Sequence, residues 1–353
     1  MRLLPQLRTE YREHALRILI VKLSSLGDVV HAMPAVQDIR RALPQAQIDW
    51  VVERAFAPLA QRCEGVRRVI PCELRRWRKA PLAASTRAEW RAFKTALQSE
   101  AYDAVIDLQG LTKSALVAWL ARLAPGGKRY ALANQTDGSG YEAPTRWVAD
   151  VAVRLAPHVH AVRRSRLLCA QALGYPLSKS ESFGLRALAG EALIAPEIIA
   201  NDVRPTRPCV ALVHGTSRAD KQWPQAHWLE LARRLDAAGC DVALLHGTDA
   251  EQRRSEAMAR EMAHAVVWPR LALDALTDAL AGCAGVIGVD SGLSHIAVAL
   301  GLPHVQIYNF DTAWRTGPGE GGLAPQSHQR SVYAAPSPSV DVVWQAWLQV
   351  RPT

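Results

Sequence analysis

The sequence predicts an α/β protein made of two doubly wound, Rossmann-like domains. Short apolar runs alternate with helical stretches, the alternation restarts once after a proline-containing segment, and 353 residues is about two domains' length. Continuous apolar runs separated by helices mark a parallel sheet buried on both faces.

In the first half, 17–22 reads as a strand, 23–27 as a tight polar turn, and Asp28 as the N-cap of a helix reaching Leu43. Strands follow at 48–52 and 103–108, the latter between amphipathic helices starting near Arg87 and Lys113. The second half repeats the scheme, with strands at 209–214, 241–246, 285–289 and 304–308. Its helices are expected at 225–238, 250–263, 273–281 and 291–300. Val340, Val343, Trp344, Trp347 and Leu348 share one face of a terminal helix. The expected divisions are an extension at 1–16, a first domain at 17–187, a linker at 188–208 with Pro196, Pro205 and Pro208, a second domain at 209–335, and the terminal helix at 336–353.

Hydrophobic residues at 49% and charged residues at 21% are ordinary for a globular chain and exclude disorder and collagen; no sustained heptad points to a coiled coil. No run approaches the ~18 apolar residues of a membrane span. The start, with charges at Arg8, Glu10, Arg12 and Glu13, does not read as a signal peptide, so a soluble, intracellular protein is expected. Six cysteines without a CxxC pair read as reduced thiols, with Cys209, Cys240 and Cys283 in or beside buried runs, and no metal site is expected. Eleven tryptophans suggest a Trp-rich surface or cleft.

The net charge of +9 is unevenly spread: residues 1–180 hold 28 Lys and Arg against 15 Asp and Glu, and the remainder is net negative. Within 62–94 there are ten basic residues and three Glu, centred on Arg75, Arg76, Trp77, Arg78 and Lys79. Arg163, Arg164 and Arg166, with His158 and His160, form a second cluster. The first half therefore meets a polyanion, for which arginine forks suit phosphate and carboxylate. With no RNA-binding aromatic signature or helix-turn-helix, nucleic acid is disfavoured.

Doubly wound domains bind ligands at the carboxyl ends of their strands, so two of them would make a cleft whose chemistry lies in the turns. Asp28, after Lys22, is either a helix cap or a general base beside an acceptor hydroxyl. Thr216, Ser217 and Lys221 form a polar turn suited to phosphate, although a P-loop signature is absent. Asp290, Ser291 and Gly292 open a helix whose free N–H groups could hold a diphosphate, with His295 one turn in. Glu251 could reach a ribose, or could serve only the dipole of its helix.

The segments Ile20–Ala35, Ile48–Glu53, Arg75–Lys79, Tyr102–Leu111, Asp220–Pro224 and Val289–His295 together resemble the lipopolysaccharide heptosyltransferase I family of ADP-heptose glycosyltransferases, in order and at the expected separations. The resemblance implies a GT-B fold, with an acceptor domain preceding a donor domain. It implies inverting, metal-independent transfer of L-glycero-D-manno-heptose from ADP-heptose to the first Kdo of Kdo2-lipid A, without a cofactor. By the same resemblance Asp28 is the base. Thr216, Ser217 and Lys221 hold the donor diphosphate, with Lys221 also assisting catalysis. Glu251 meets the nucleoside, and Asp290, Ser291, Gly292 and His295 meet heptose and phosphate. Arg75, Arg76, Arg78, Lys79 and Lys113 receive the acceptor, and a cytoplasmic enzyme touching the inner membrane peripherally is expected. Heptosyltransferase II, a nucleotide-sugar epimerase of the same fold, and a non-catalytic binder of anionic lipid or nucleic acid are the alternatives.

Overall fold

In the computed structural model, which describes residues 15–188, 207–319 and 327–352, the apolar runs form two six-stranded parallel sheets. The chain divides into two compact units, Met1–Gly184 and Leu185–Thr353. Residues 1–14 of the expected extension and 189–206 of the expected linker lie outside the described residues.

Unit 1 contains β1 (Arg17–Val21), β2 (Gln47–Glu53), β3 (Val66–Cys72), β4 (Tyr102–Asp107), β5 (Leu123–Leu132) and β6 (Val151–Val153). They lie in the order β3-β2-β1-β4-β5-β6. Ile18, Leu19, Ile20 and Val21 are fully buried at the centre, as expected for a strand covered on both faces. Unit 2 contains β7 (Cys209–Val213), β8 (Asp241–Leu244), β9 (Ala265–Val267), β10 (Gly285–Val289), β11 (His304–Tyr308) and β12 (Gln329–Tyr333). Their order, β12-β11-β10-β7-β8-β9, is the same wiring read from the opposite edge. Both sheets have the Rossmann arrangement, in which strand order reverses at one point and opens a crevice at the strands' carboxyl ends. That point lies between β1 and β4 in unit 1 and between β7 and β10 in unit 2.

Close helix–strand packing fixes the second of these crevices. A Cβ at Gly288 would come within 2.4 Å of Ser294 Oγ and 2.7 Å of Val213 Cβ, so only glycine lets the helix Gly292–Ala299 sit this near β10 and β7. Trp223, Trp228 and Trp347 fill the unit 2 core, and the face of Val340–Val350 carrying Val343 and Trp347 is buried as its periodicity predicted. The expected Trp-rich surface or cleft is found in part: Trp50, Trp223, Trp228 and Trp347 are core residues, whereas Trp119 and Trp147 are exposed and Trp77 and Trp90 line a pocket. Cys209 and Cys240 are half-buried rather than buried, and all six cysteines are free.

Two core histidines give unit 2 an acid sensitivity. Burial pushes His214 and His304 down to about 4 from the ordinary 6.5, with Arg254 also opposing the charge on His214 and His295 that on His304. Their neutral forms contribute stability that is complete above pH 6.5 and lost as pH falls through 4, because only the unfolded chain gains the protons early. Each such displacement amounts to roughly 3 kcal/mol. In unit 1 burial raises Asp107 to about 6, against its hydrogen bonds from Gln109, Gly110 and Ser114, so acidification through pH 6 relieves rather than creates a cost there. Thermal unfolding followed between pH 7 and pH 4 is expected to show unit 2 losing stability first. A single transition with a pH-independent midpoint would contradict this.

Candidate active site

At the unit 1 switch point, the turn after β1 leads into the helix Leu26–Ala42. Ser25, not Asp28, is its N-cap, and Asp28 lies three residues on. Asp28 Oδ2 accepts from Ser25 N (3.1 Å) and Ser25 Oγ (3.0 Å). Its other oxygen, Oδ1, accepts from Lys22 Nζ at 3.2 Å and lies 3.8 Å from Arg164 Nη2. The carboxylate is 34% exposed, whereas Lys22 and Arg164 are buried. Burial alone would raise the Asp28 pKa. Lys22, the Ser25 hydrogen bonds and Arg164 outweigh it and bring the group down to about 2. Lys22 itself is lowered by burial and by Arg164, with Asp28 and Asp107 opposing, and it also donates to Leu108 O (3.2 Å).

The turn after β4 braces this arrangement. Gln109 Oε1 accepts from Leu23 N and Ser24 N, both at 3.1 Å, while Asp107 holds Gln109 N, Gly110 N and Ser114 Oγ. Buried Ser24 Oγ accepts from Lys113 Nζ (2.9 Å) and Arg75 Nη2 (3.4 Å), drawing both cations to the turn that carries Asp28. Arg76 is instead held by Glu73 and Glu89, and Arg78 and Lys79 are exposed on the short helix Leu74–Lys79. Of the second basic cluster, Arg164 reaches Asp28, while Arg166 is spent on a buried pair with Asp38 at 2.6 Å.

At the unit 2 switch point, Asp290 is the hub. Lys221 Nζ donates to its Oδ2 at 2.6 Å, His295 Nε2 lies 3.4 Å from its Oδ1, and Thr316 Oγ1 donates to Oδ1 at 3.4 Å. Burial would raise the Asp290 pKa, but His295 and Lys221 hold it below the ordinary carboxylate range. Thr216 Oγ1 donates to Asp290 O at 3.4 Å. Ser217 is exposed on the same turn. Ser291 caps the helix beginning at Gly292, and its buried Oγ has no hydrogen-bond partner among the described residues. The backbone N–H groups of this helix's first turn and that hydroxyl suit anionic oxygens.

Glu251 sits beside this group in a second role. Its Oε2 accepts from Gly247 N (2.8 Å) and Thr248 N (3.0 Å), closing a capping box with Thr248, and its Oε1 lies where a Cβ on Gly215 would have to go. Asn309 completes the support: its Nδ2 donates to Asp220 O and Gln222 O, both at 2.9 Å, clasping the backbone on either side of Lys221. Among the described residues, no group of three or more His, Cys, Asp or Glu could hold a metal ion.

Sequence reasoning gave Lys22 no role, placed Arg164 only in the basic cluster expected to meet a polyanion, and missed Thr316 and Asn309. Lys22 ends an apolar run and reads as strand, and the other three come from distant segments. The signal for Ser25 was present, since Ser-x-x-Asp is a helix-start pattern.

Each unit thus carries a Rossmann-type sheet with charged and hydroxyl side chains gathered at its switch point, an arrangement suited to anionic ligands and shared by two-domain nucleotide-sugar enzymes. The chain belongs to glycosyltransferase family 9 (heptosyltransferase), whose sequence profile matches residues 90–338. It is 41% identical to lipopolysaccharide heptosyltransferase 1 of Pseudomonas aeruginosa over 83% of this chain and 78% of the relative. Against the Escherichia coli K12 protein of the same name it is 38% identical, over 83% of this chain and 88% of that one. The structure of E. coli heptosyltransferase WaaC with ADP superposes with a TM-score of 0.78 at 33% identity, covering 94% of this chain and 98% of that chain. The chain is thus an α/β glycosyltransferase with the fold of WaaC.

Proposed function

We propose that this protein transfers L-glycero-D-manno-heptose from ADP-heptose to the first Kdo of Kdo2-lipid A, in assembly of the lipopolysaccharide inner core. The observation that carries the reading is the pair of switch-point clusters: an anionic carboxylate held by buried Lys22 and Arg164, with Lys113 and Arg75 on the same turn, in unit 1, and a lysine, hydroxyls and a helix N-terminus in unit 2. Identity of 38–41% to heptosyltransferase 1, against 27% to E. coli heptosyltransferase 2, supports the first-heptose acceptor over its successor. The structure of WaaC with ADP-2-deoxy-2-fluoro heptose, at a TM-score of 0.74 and 34% identity, supports ADP-heptose as donor.

Unit 2 holds the donor. Thr216, Ser217, Lys221, Ser291 and the N–H groups at Gly292 take the diphosphate, Asp290 and His295 orient the sugar side, and Glu251 faces the nucleoside. Unit 1 holds the acceptor, with Arg75 and Lys113 on its anionic groups and Arg76, Arg78 and Lys79 around them. The acceptor oxygen attacks heptose C1 while the bond from C1 to the diphosphate breaks, through an oxocarbenium-like state. Asp28 takes the hydroxyl proton, and ADP departs with the bonding electrons onto Lys221 and the helix N-terminus. The basic surface works at the cytoplasmic face of the inner membrane; among the described residues no helix is long and apolar enough to cross it.

The test is ADP release from ADP-heptose, with and without Kdo2-lipid A, in EDTA. Release that requires the acceptor and survives EDTA is the expected result. Turnover only on an already heptosylated acceptor would move the assignment to the second transferase, and silence on both would reject it.

A further inference from the structure

Of the eleven tryptophans only Trp119 and Trp147 are exposed, at 62% and 73%. They sit on two helices of unit 1 that pack against each other, Thr112–Leu120 and Pro144–Val148. Arg129 draws the ends of these helices to one point. Its guanidinium donates to the carbonyls of Ala118 (2.8 Å), Trp119 (3.2 Å) and Ala121 (3.0 Å). Its backbone N–H donates at 2.8 Å to Asp150 Oδ2, three residues past Trp147. Leu116, one turn before Trp119 on the same helix face, is exposed as well. Arg122, three residues beyond Trp119, and Arg146, next to Trp147, are exposed and make no ion pair among the described residues. The neighbouring carboxylates are already engaged, Asp150 by Arg129 N and Glu142 by Thr112 N at 2.7 Å. What remains is an aromatic face with uncompensated positive charge.

We propose that this face docks on an anionic lipid bilayer, with the indoles of Trp119 and Trp147 among the headgroups and Arg122 and Arg146 on lipid phosphates. The proposal rests on the reading above that the acceptor is a lipid-anchored glycan, and it names the surface through which the protein meets that lipid. Charge and side-chain chemistry select the occupant. An indole favours the boundary between water and hydrocarbon, because its ring is apolar and its N–H needs an acceptor. Arginines left unpaired beside it are drawn by a negative surface potential. A second copy of the chain fits less well, since a two-fold contact would set these cations against themselves. The helix that carries Trp119 also begins at the acceptor cluster. Lys113, in its first turn, donates to Ser24 Oγ in the turn that carries Asp28, and Trp119 follows six residues later, a rise of about 9 Å. A bilayer met at Trp119 therefore lies one short helix away from a cation assigned to the acceptor.

The experiment is sedimentation of the protein with vesicles, in the absence of any acceptor. The wild type is expected to bind phosphatidylethanolamine–phosphatidylglycerol vesicles more tightly than phosphatidylcholine vesicles, and less tightly as salt is raised. Trp119→Ser combined with Trp147→Ser should weaken that binding about tenfold, since partition follows the apolar area buried. Both side chains are exposed, so the melting temperature and turnover of a deacylated, soluble acceptor should not change. Arg122→Gln combined with Arg146→Gln should remove the preference for phosphatidylglycerol and leave binding to phosphatidylcholine as it was. Failure of the wild type to bind anionic vesicles, or equal binding by the wild type and the double tryptophan variant, overturns the proposal. A wild-type dimer in analytical ultracentrifugation that the tryptophan variant abolishes, with vesicle binding unaltered, gives the face to a second copy and overturns it too. Absence of turnover on Kdo2-lipid A is the separate failure of the acceptor reading, because vesicle binding is measured without it.

Discussion

Asp28→Asn is expected to lower kcat by about 10²–10⁴-fold, the range spanned by loss of a positioned proton acceptor. ADP and ADP-heptose binding should be unchanged, because the proposal assigns the donor contacts to unit 2. The amide keeps a carbonyl oxygen to accept from Ser25, and Lys22 retains Leu108 O as a partner, so the turn should survive. Calorimetry with ADP and measurement of ADP release separate the outcomes: parallel loss of donor affinity and turnover would reduce Asp28 to a structural partner of the Ser25 cap. The depressed pKa sharpens the expectation. With Lys22, Ser25 and Arg164 holding it at about 2 despite burial, Asp28 is an anion across the working range and any stability it confers is lost only as pH falls through that value. It is a weak base at equilibrium. Proton transfer must therefore follow the growing acidity of the acceptor hydroxyl as the new bond forms, and the acid limb of the pH–rate profile should not titrate with Asp28.

Lys221→Ala is the second large effect, an expected fall of about 10²–10³-fold in kcat at saturating donor, comparable with removing one donor from a preorganised anion site. Negative charge on the departing diphosphate increases along the reaction, so the ammonium binds the transition state more tightly than the ground state. The variant also takes away the 2.6 Å partner of buried Asp290, leaving His295 and Thr316 to stabilise that carboxylate. Lys221→Ala combined with Asp290→Asn distinguishes the two consequences. Recovery of thermal stability in the double variant traces the lost stability to the unpaired carboxylate, and partial rescue of kcat by Lys221→Arg, which restores a cation, assigns the lost rate to the missing charge. An unchanged kcat in the single variant would remove Lys221 from the chemistry.

What the sequence made legible follows burial. β1, β4, β7, β10 and β11 lie in the middle of their sheets, are covered on both faces, and announce themselves as apolar runs. β3, β6, β9 and β12 are sheet edges and were not expected. β3 carries Arg67, Arg68 and Pro71, as edge strands do to resist pairing with other chains, and those residues hide it from an apolar criterion. β5 was concealed by Pro125, Gly126 and Gly127. The helix Ala161–Leu173 was masked by Arg163, Arg164 and Arg166, whose charges read as a surface although the last two are buried. The site divides in the same way. Turns that follow central strands were readable in one dimension, so Asp28, Lys221 and Asp290 stood out, whereas partners delivered by distant segments, Arg164 to Asp28 and Asn309 to the Lys221 turn, exist only in the folded chain.

The identical strand wiring of the two sheets bears on how such a protein can acquire new substrates. Each half assembles its reactive turn from its own first and fourth strands, and the charged contacts that shape each turn are made within that half. Under the proposed division of donor and acceptor between the halves, variation can accumulate in one of them and alter its ligand while the other keeps its specificity. Chimaeras exchanged at the boundary near Gly184 are the natural unit of such variation, and of its imitation by design.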